Sequence, residues 1–344
     1  MFVVNENNMY ILKQIPEDFV VTEVSNVEMK DSGKFAYLSL KKKNRNTLDC
    51  VREIAKQLKI KEKDIGFAGS KDKNAVTTQM VSVFKVSKER ISSINIDNVE
   101  LKLLGYGNKP ISLGDLERNK FEIVVRDLEE PIIQQINFVA NYFDEQRFSV
   151  HNVDIGRHLV KKEFKDAVKL MGDSRADEHL DKHPNDFIGA MKKLPKRLLM
   201  MYVHAYQSYL WNETLVEYLK KNCKVVKEVA YSLSHFVFVD KKLDLTIPLI
   251  GFDDTLVTSE TKETINQIMK KENLKHSDFV IKQIPELSME GDLRNAFTDI
   301  TDMKIEITEK DELNINKKKV KVSFSLGKGS YATMVVRKVL NIIN

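Results

Sequence analysis

One carboxylate stands out for chemistry. In "GFAGSKDKNAVTTQ" (66–79), Asp72 lies between Lys71 and Lys73, in a stretch of small and polar residues opened by Gly66 and Gly69. An acid flanked by lysines suits a solvated turn, and it equally suits a catalytic group aimed at an anionic substrate. Loops held on rigid scaffolds carry function out of proportion to their length. Taken alone, a turn is the commoner role for such a residue, and both readings stay open at this point. Competing chemistries fit less well. A triphosphate loop needs G-x-x-x-x-G-K-[ST]. Counting back from Gly327–Lys328 puts Val322 where that glycine belongs, and no G-K pair follows Gly69. The dinucleotide fingerprint G-x-G-x-x-G is missing as well. His151 and His158 are too far apart for one helical metal face, and no cysteine pair lies nearby, so no metal site is expected.

The elements around this loop follow from periodicity. "EDFVVTEV" (17–24) and "FAYLSLKKK" (35–43) alternate as strands around the turn signal "KDSGK". After a plausible cap at Asn46 and Thr47, Leu48, Val51, Ile54, Ala55 and Leu58 recur at helical spacing. "DIGFAG" enters the loop as a short strand or turn, "TTQMVSVFKV" leaves it as a strand, and "NKFEIVVRDL" (119–128) is another. Ile132, Ile136, Val139 and Phe143 mark a helix. The middle of the chain is more helical: an apolar stripe from Phe164 to Met171 ends at Gly172, and a long helix is expected over 198–220. Its Tyr202, Tyr206, Tyr209 and Trp211 are expected to pack in a core, not to stack on bases. "EVAYSLSHFVFVDKKLDLTIPLIG" suggests short strands. Near the end, "MKIEI" (303–307) and "VKVSFSL" (320–326) read as a hairpin. "GKGSY" then turns into a closing helix capped by Ser330, with Val335, Val336, Val339, Leu340 and Ile343 on its face. Strands at both ends and helices between them predict an α+β protein, with one sheet domain built from both termini and a second domain inserted.

Composition sets the class. The 344 residues allow two domains, and 42% hydrophobic with 31% charged residues is ordinary for a globular protein. A net charge of +5, with lysines bunched at 41–43, 161–162, 192–193 and 317–319, is compatible with a polyanionic partner, although each run taken singly reads as a solvated face. No apolar run approaches a membrane span, and "MFVVNENNMY" has no signal-peptide pattern. Two distant cysteines, Cys50 and Cys223, argue against a disulfide framework and make the cytoplasm the expected setting.

Beyond these patterns, "GFAGSKDKNAVTTQ" resembles the signature of the TruD family of tRNA pseudouridine synthases, A-G-x-K-D-x-x-A-V-T-x-Q. Ala68, Gly69, Lys71, Asp72, Ala75, Val76, Thr77 and Gln79 stand in its places. "LKQIPEDFVVTE" is similar to the family's K-x-x-P-E-D-F-x-V segment, "NKFEIVVR" to its N-x-F strand and "NYFDEQRF" to its N-Y-F-G-x-Q-R-F motif. "FSLGKGSYATMVVRK" resembles the family's C-terminal L-P-x-G-S-[FY]-A-T-x-V-x-R-E. The motifs run in family order over essentially the whole chain. Asp144 and Ser149 replace glycines, Gly327 a proline and Lys338 a glutamate; none touches the Asp72 loop.

The resemblance implies a pseudouridine-synthase catalytic domain at 1–149 and 301–344, a mixed and largely antiparallel sheet flanked by helices, with an inserted α+β domain at 150–300. It implies isomerisation of a uridine in tRNA, at position 13, without cofactor or metal. Asp72 would be the catalytic carboxylate. Lys13 would be the cation that keeps it ionised, and the target base would be flipped into a cleft between two lobes. Phe121 would stack on the uracil, Asn119 would position loop or base, and Lys71 would meet RNA phosphate. Backbone N–H groups around Ser330 and Tyr331 would hold uracil oxygens or a phosphate. A monomer with tRNA as partner and no obligatory protein partner is expected. The other class of reading is a non-catalytic tRNA-binding or folding protein that uses the same cleft. An RNA methyltransferase fits poorly, for want of a glycine-rich cofactor loop.

Overall fold

A computed structural model of the chain describes residues 10–306 and 309–341. The chain divides into two compact units. The first takes residues up to Asn137, Asp299–Ala332 and Val339 onward; the second takes Phe138–Thr298 and Thr333–Lys338. The architecture is α+β.

The first unit is organised by one mixed sheet. In chain order its strands are β1 (Ile11–Leu12), β2 (Phe19–Ser25), β3 (Phe35–Lys43), β4 (Ile65–Phe67), β5 (Val76–Phe84), β6 (Val99–Gly107) and β7 (Leu116–Leu128). The Lys318–Gly327 strand joins them. The spatial order is β6-β3-β5-β2-β7 and then Lys318–Gly327, with β1 on β7 and β4 on β5. β2 and β5 run parallel, whereas β3–β5, β3–β6, β2–β7 and β7 with Lys318–Gly327 are antiparallel. The helix α1 (Thr47–Leu58) lies on one face because Val51, Ile54, Ala55 and Leu58 recur every three or four residues. They meet Leu38 and Leu40 of β3 and Val81 and Val83 of β5. Leu48, expected in that stripe, is exposed. Lys59 closes the helix in the left-handed conformation.

The second unit is mainly helical, with its own core. Helices Asn152–Val160, Phe164–Met171 and Ser174–Lys182 precede the long Lys196–Asn222, and a hairpin pairs Val225–Ala230 with His235–Val239. Tyr202, Tyr206, Tyr209 and Trp211 are all buried, and Trp211 Nε1 donates to the Ile247 carbonyl at 3.0 Å, so these rings are packing groups as expected. Among the described residues no helix is long and apolar enough to cross a membrane.

Two local expectations are corrected. Ile132, Ile136, Val139 and Phe143 do not share a helix. The segment is extended, with Ile132 and Ile133 paired to Asn341 and Leu340, and the Asn141 N–H donated to Ala296 O at 2.8 Å. β-branched residues after Pro131 found partners across the chain, not four residues back. The two strands expected around "KDSGK" are present as β2 and β3, and β5 lies between them in the sheet. The last helix spans Ala332–Val339, so Tyr331 occupies the N-cap position and Ser330 precedes it. The hairpin formed by Phe297–Ile305 and Lys318–Gly327 is present, with Ile305 opposite Val322; Ile307 and Ile343 lie outside the described residues.

Candidate active site

Strand register gathers the site. Lys42 of β3 stands opposite Thr77 of β5, Thr77 opposite Val21 of β2, Val21 opposite Phe121 of β7, and Phe121 opposite Phe324. Residues paired across neighbouring strands point to the same face, so this row crosses five strands on one side of the sheet. One step along, Glu23 is opposite Asn119, and Asn119 opposite Leu326. The Phe121 ring is 7% exposed, edge-on to Phe19 at 6.1 Å between centroids and 5.6 Å from Phe324. Asn119 Oδ1 and Thr77 Oγ1 are buried on this face with no hydrogen-bond partner among the described residues. Buried polar atoms are rarely left so without a functional reason.

The loop between β4 and β5 sits beside this row and is tied down by side chains. Gly69 adopts φ +149°, a conformation that favours glycine, and Gln79 Nε2 donates to its carbonyl at 2.9 Å. The Thr47 hydroxyl donates to Gln79 Oε1 and accepts from the Lys71 N–H, both at 3.0 Å. Lys71 Nζ donates to Glu23 Oε2 at 2.6 Å, with side chains 9% and 1% exposed. Lys42 Nζ donates to the carbonyls of Asp72 at 2.6 Å and Lys71 at 3.3 Å. On this frame Asp72 presents a carboxylate whose Oδ2 accepts from Lys13 Nζ at 2.7 Å. The lysine is 10% exposed and the acid 37%. Lys13 itself has a left-handed backbone, φ +58°, and its ammonium lies 4.0 Å above the Phe19 ring.

The structure thus brings Asp72, Lys13, Lys71, Asn119 and Phe121 together on one face of the sheet. Lys71 is turned inward to Glu23 rather than outward to solvent. Lys73, its neighbour, is exposed. Ser330 and Tyr331, both half-buried, lie in the turn after the strand that carries Phe324. Glu23, Lys42, Thr47 and Gln79 complete the loop's support, and sequence reasoning gave them no role in the site. The alternation of β2 and β3 was the available signal, since it turns Glu23 and Lys42 to the same side as Phe121. Among the described residues no group of three His, Cys, Asp or Glu side chains is placed to hold a metal ion.

The family model for tRNA pseudouridine synthase D (TruD) matches residues 5–181 and 173–339. The chain belongs to this family. The tRNA pseudouridine synthase D of Aquifex aeolicus is 32% identical, over 95% of this chain and 97% of that protein. The probable tRNA pseudouridine synthase D of Methanococcoides burtonii is 30% identical, over 96% and 93%. A Methanosarcina mazei crystal structure assigned to TruD superposes with a TM-score of 0.73 at 26% identity, over 96% of this chain and 93% of that one. Membership makes the protein a pseudouridine synthase, an isomerase. Three of its departures from the TruD pattern, Asp144, Ser149 and Lys338, lie in the second unit. Asp144 is buried, its Oδ1 3.9 Å from Arg337 Nη2, and burial pushes its carboxyl up. Lys338 caps the Phe138 ring, and burial brings its ammonium down to about 8.

Proposed function

We propose that this protein isomerises a uridine of tRNA, at position 13 by resemblance, to pseudouridine, with Asp72 as the catalytic carboxylate. The observation that carries the reading is the Asp72–Lys13 pair: a carboxylate held by a buried lysine, on a braced loop, and still open to solvent. The reaction breaks N1–C1′, turns the uracil and joins C5 to C1′. It conserves every atom, so it consumes no redox equivalent. A carboxylate serves either as nucleophile at C1′ or as base on the sugar. The target nucleotide must leave its stack to reach Asp72. In this reading Phe121 gives the uracil an apolar floor, and the unpaired Asn119 Oδ1 accepts from the N3–H of the base. Backbone N–H groups near Ser330 and Tyr331 take a uracil oxygen or phosphate. Lys71 acts through Glu23 on the loop.

We further take the sheet unit as catalytic and the region of about 150 to 300 as the family insertion, in a cytoplasmic monomer. Purified protein incubated with a tRNA transcript, followed by carbodiimide mapping, tests the reading. Pseudouridine should appear with wild type and vanish with Asp72→Asn. Tight tRNA binding without conversion would favour a folding helper instead.

A further inference from the structure

The run Lys41-Lys42-Lys43 looks like basic surface, but strand alternation divides it. Lys41 and Lys43 are exposed on one face of β3, while Lys42 faces the other and is 1% exposed. Burying an ammonium is costly unless its protons are bonded. Its partners here are two successive carbonyls, those of Lys71 and Asp72. These belong to the peptide planes on either side of the Asp72 Cα, and the angle between the planes sets where the side chain points.

We propose that Lys42 is a positioning residue: its ammonium clamps both peptide planes flanking the Asp72 Cα and thereby aims the carboxylate. The inference rests on Asp72 being the catalytic group. The charged and titratable groups facing Lys42 are Cys50 from α1 and Lys71 and Asp72 from the loop. Burial brings Lys42 down to about 8, only partly offset by Cys50 and by the Asp72 charge. Burial also pushes the Cys50 thiol up. The clamp therefore begins to lose its charge at mildly alkaline pH.

The test is single-turnover rate from pH 6.5 to 9.5, with tRNA affinity and amide-exchange protection of residues 69–74. It compares wild type, Lys42→Met and Lys42→Arg. Wild type should lose rate and loop protection above about pH 8. Lys42→Met should bind tRNA normally, turn over about tenfold to a hundredfold slower, and lose loop protection at every pH. Lys42→Arg, always charged, should restore much of the rate and remove the alkaline fall. A folded Lys42→Met with wild-type rate and protection would overturn the proposal. If that variant does not fold, the wild-type profile decides: rate and protection unchanged up to pH 9.5 would overturn it equally. Asp72→Asn run alongside separates the two failures. Turnover in that variant sinks the assignment of Asp72, whereas loop protection still reports on Lys42.

Discussion

The first unit holds two clusters of charge that are built differently. Around Arg126 the guanidinium and two of its three carboxylates, Asp18 and Asp311, are sealed, while Glu312 sits at the exposed rim. Its guanidinium, 3% exposed, donates to Asp18 at 2.8 Å, Asp311 at 2.8 Å and Glu312 at 3.1 Å. Asp311 accepts further bonds from the Asp127 and Leu313 N–H groups and from Asn314. Around Asp72 the pairing is sparse and the acid is open. The sealed cluster fastens the segment bearing Lys13 to the sheet. Asp18 accepts from the Ile15 N–H, and Asn314 links Asp311 to Gln14. A carboxylate whose bonds are all used inside the protein is structural, while one that keeps solvent access beside a side-chain cation can meet a substrate.

Neutralising each centre in turn should have opposite effects. Asp72→Asn should lower single-turnover rate by more than about a thousandfold. It removes one partly exposed pair, so stability should change by no more than about 1 kcal/mol. Denaturant melts and a pseudouridine assay on the same preparation check both halves. Arg126→Met should do the reverse. It leaves Asp18 and Asp311 buried without their cation and should destabilise by about 3–5 kcal/mol. Whatever fraction remains folded should still convert uridine. A stable Arg126→Met protein that is inactive would show that the sealed cluster belongs to the active site.

Much of this was legible in the sequence, and the limits were physical. The Lys318–Gly327 strand was visible because Val320, Val322, Phe324 and Leu326 alternate, and all four are buried. The long helix was visible because few breakers interrupt it. Asp72 stood out in its loop, but its pairing with Lys13 was visible only through resemblance to family motifs, since fifty-nine positions separate them and no local pattern joins them. Lys42 was hidden by composition: a run of three lysines suggests solvent, and only its strand phase shows that the middle one is inside. The 132–143 segment misled because hydrophobic spacing alone does not distinguish a helix from strands that pair far away.

Acid sharpens the contrast in a milder way. Burial by itself would raise the Asp311 carboxyl, but bonds from Asn314, Asp127, Leu313 and Arg126 together bring it to about 2. Its folded value lies below the unfolded one, so its stabilisation is fully present above about pH 4 and is lost as pH falls toward 2. The loss should be roughly 2 kcal/mol. Asp311→Asn should flatten the acid limb of stability against pH. An unchanged limb would mean that the cluster is not sealed in solution.

Lys13 gives the smallest effect and the finest distinction. As a strand-entry lysine in solvent it would tolerate replacement. Here its ammonium lies between the Asp72 carboxylate and the Phe19 ring, on a backbone held at φ +58°. Lys13→Met keeps the apolar stem and the contact with Phe19 while deleting the charge, so the fold should hold within about 1 kcal/mol. The carboxylate would lose its hydrogen-bonded cation, and turnover should drop by about tenfold with tRNA affinity nearly unchanged. A lysine that merely bound phosphate would instead weaken affinity and lower its salt dependence, with little change in the rate at saturation. Lys13→Arg keeps the charge and should recover part of the rate, limited by the larger guanidinium in a site that now fits an ammonium. Measuring rate at saturating protein together with Kd over a salt series separates the two roles. A purely affinity-linked loss would move Lys13 from the catalytic pair to the RNA-binding surface.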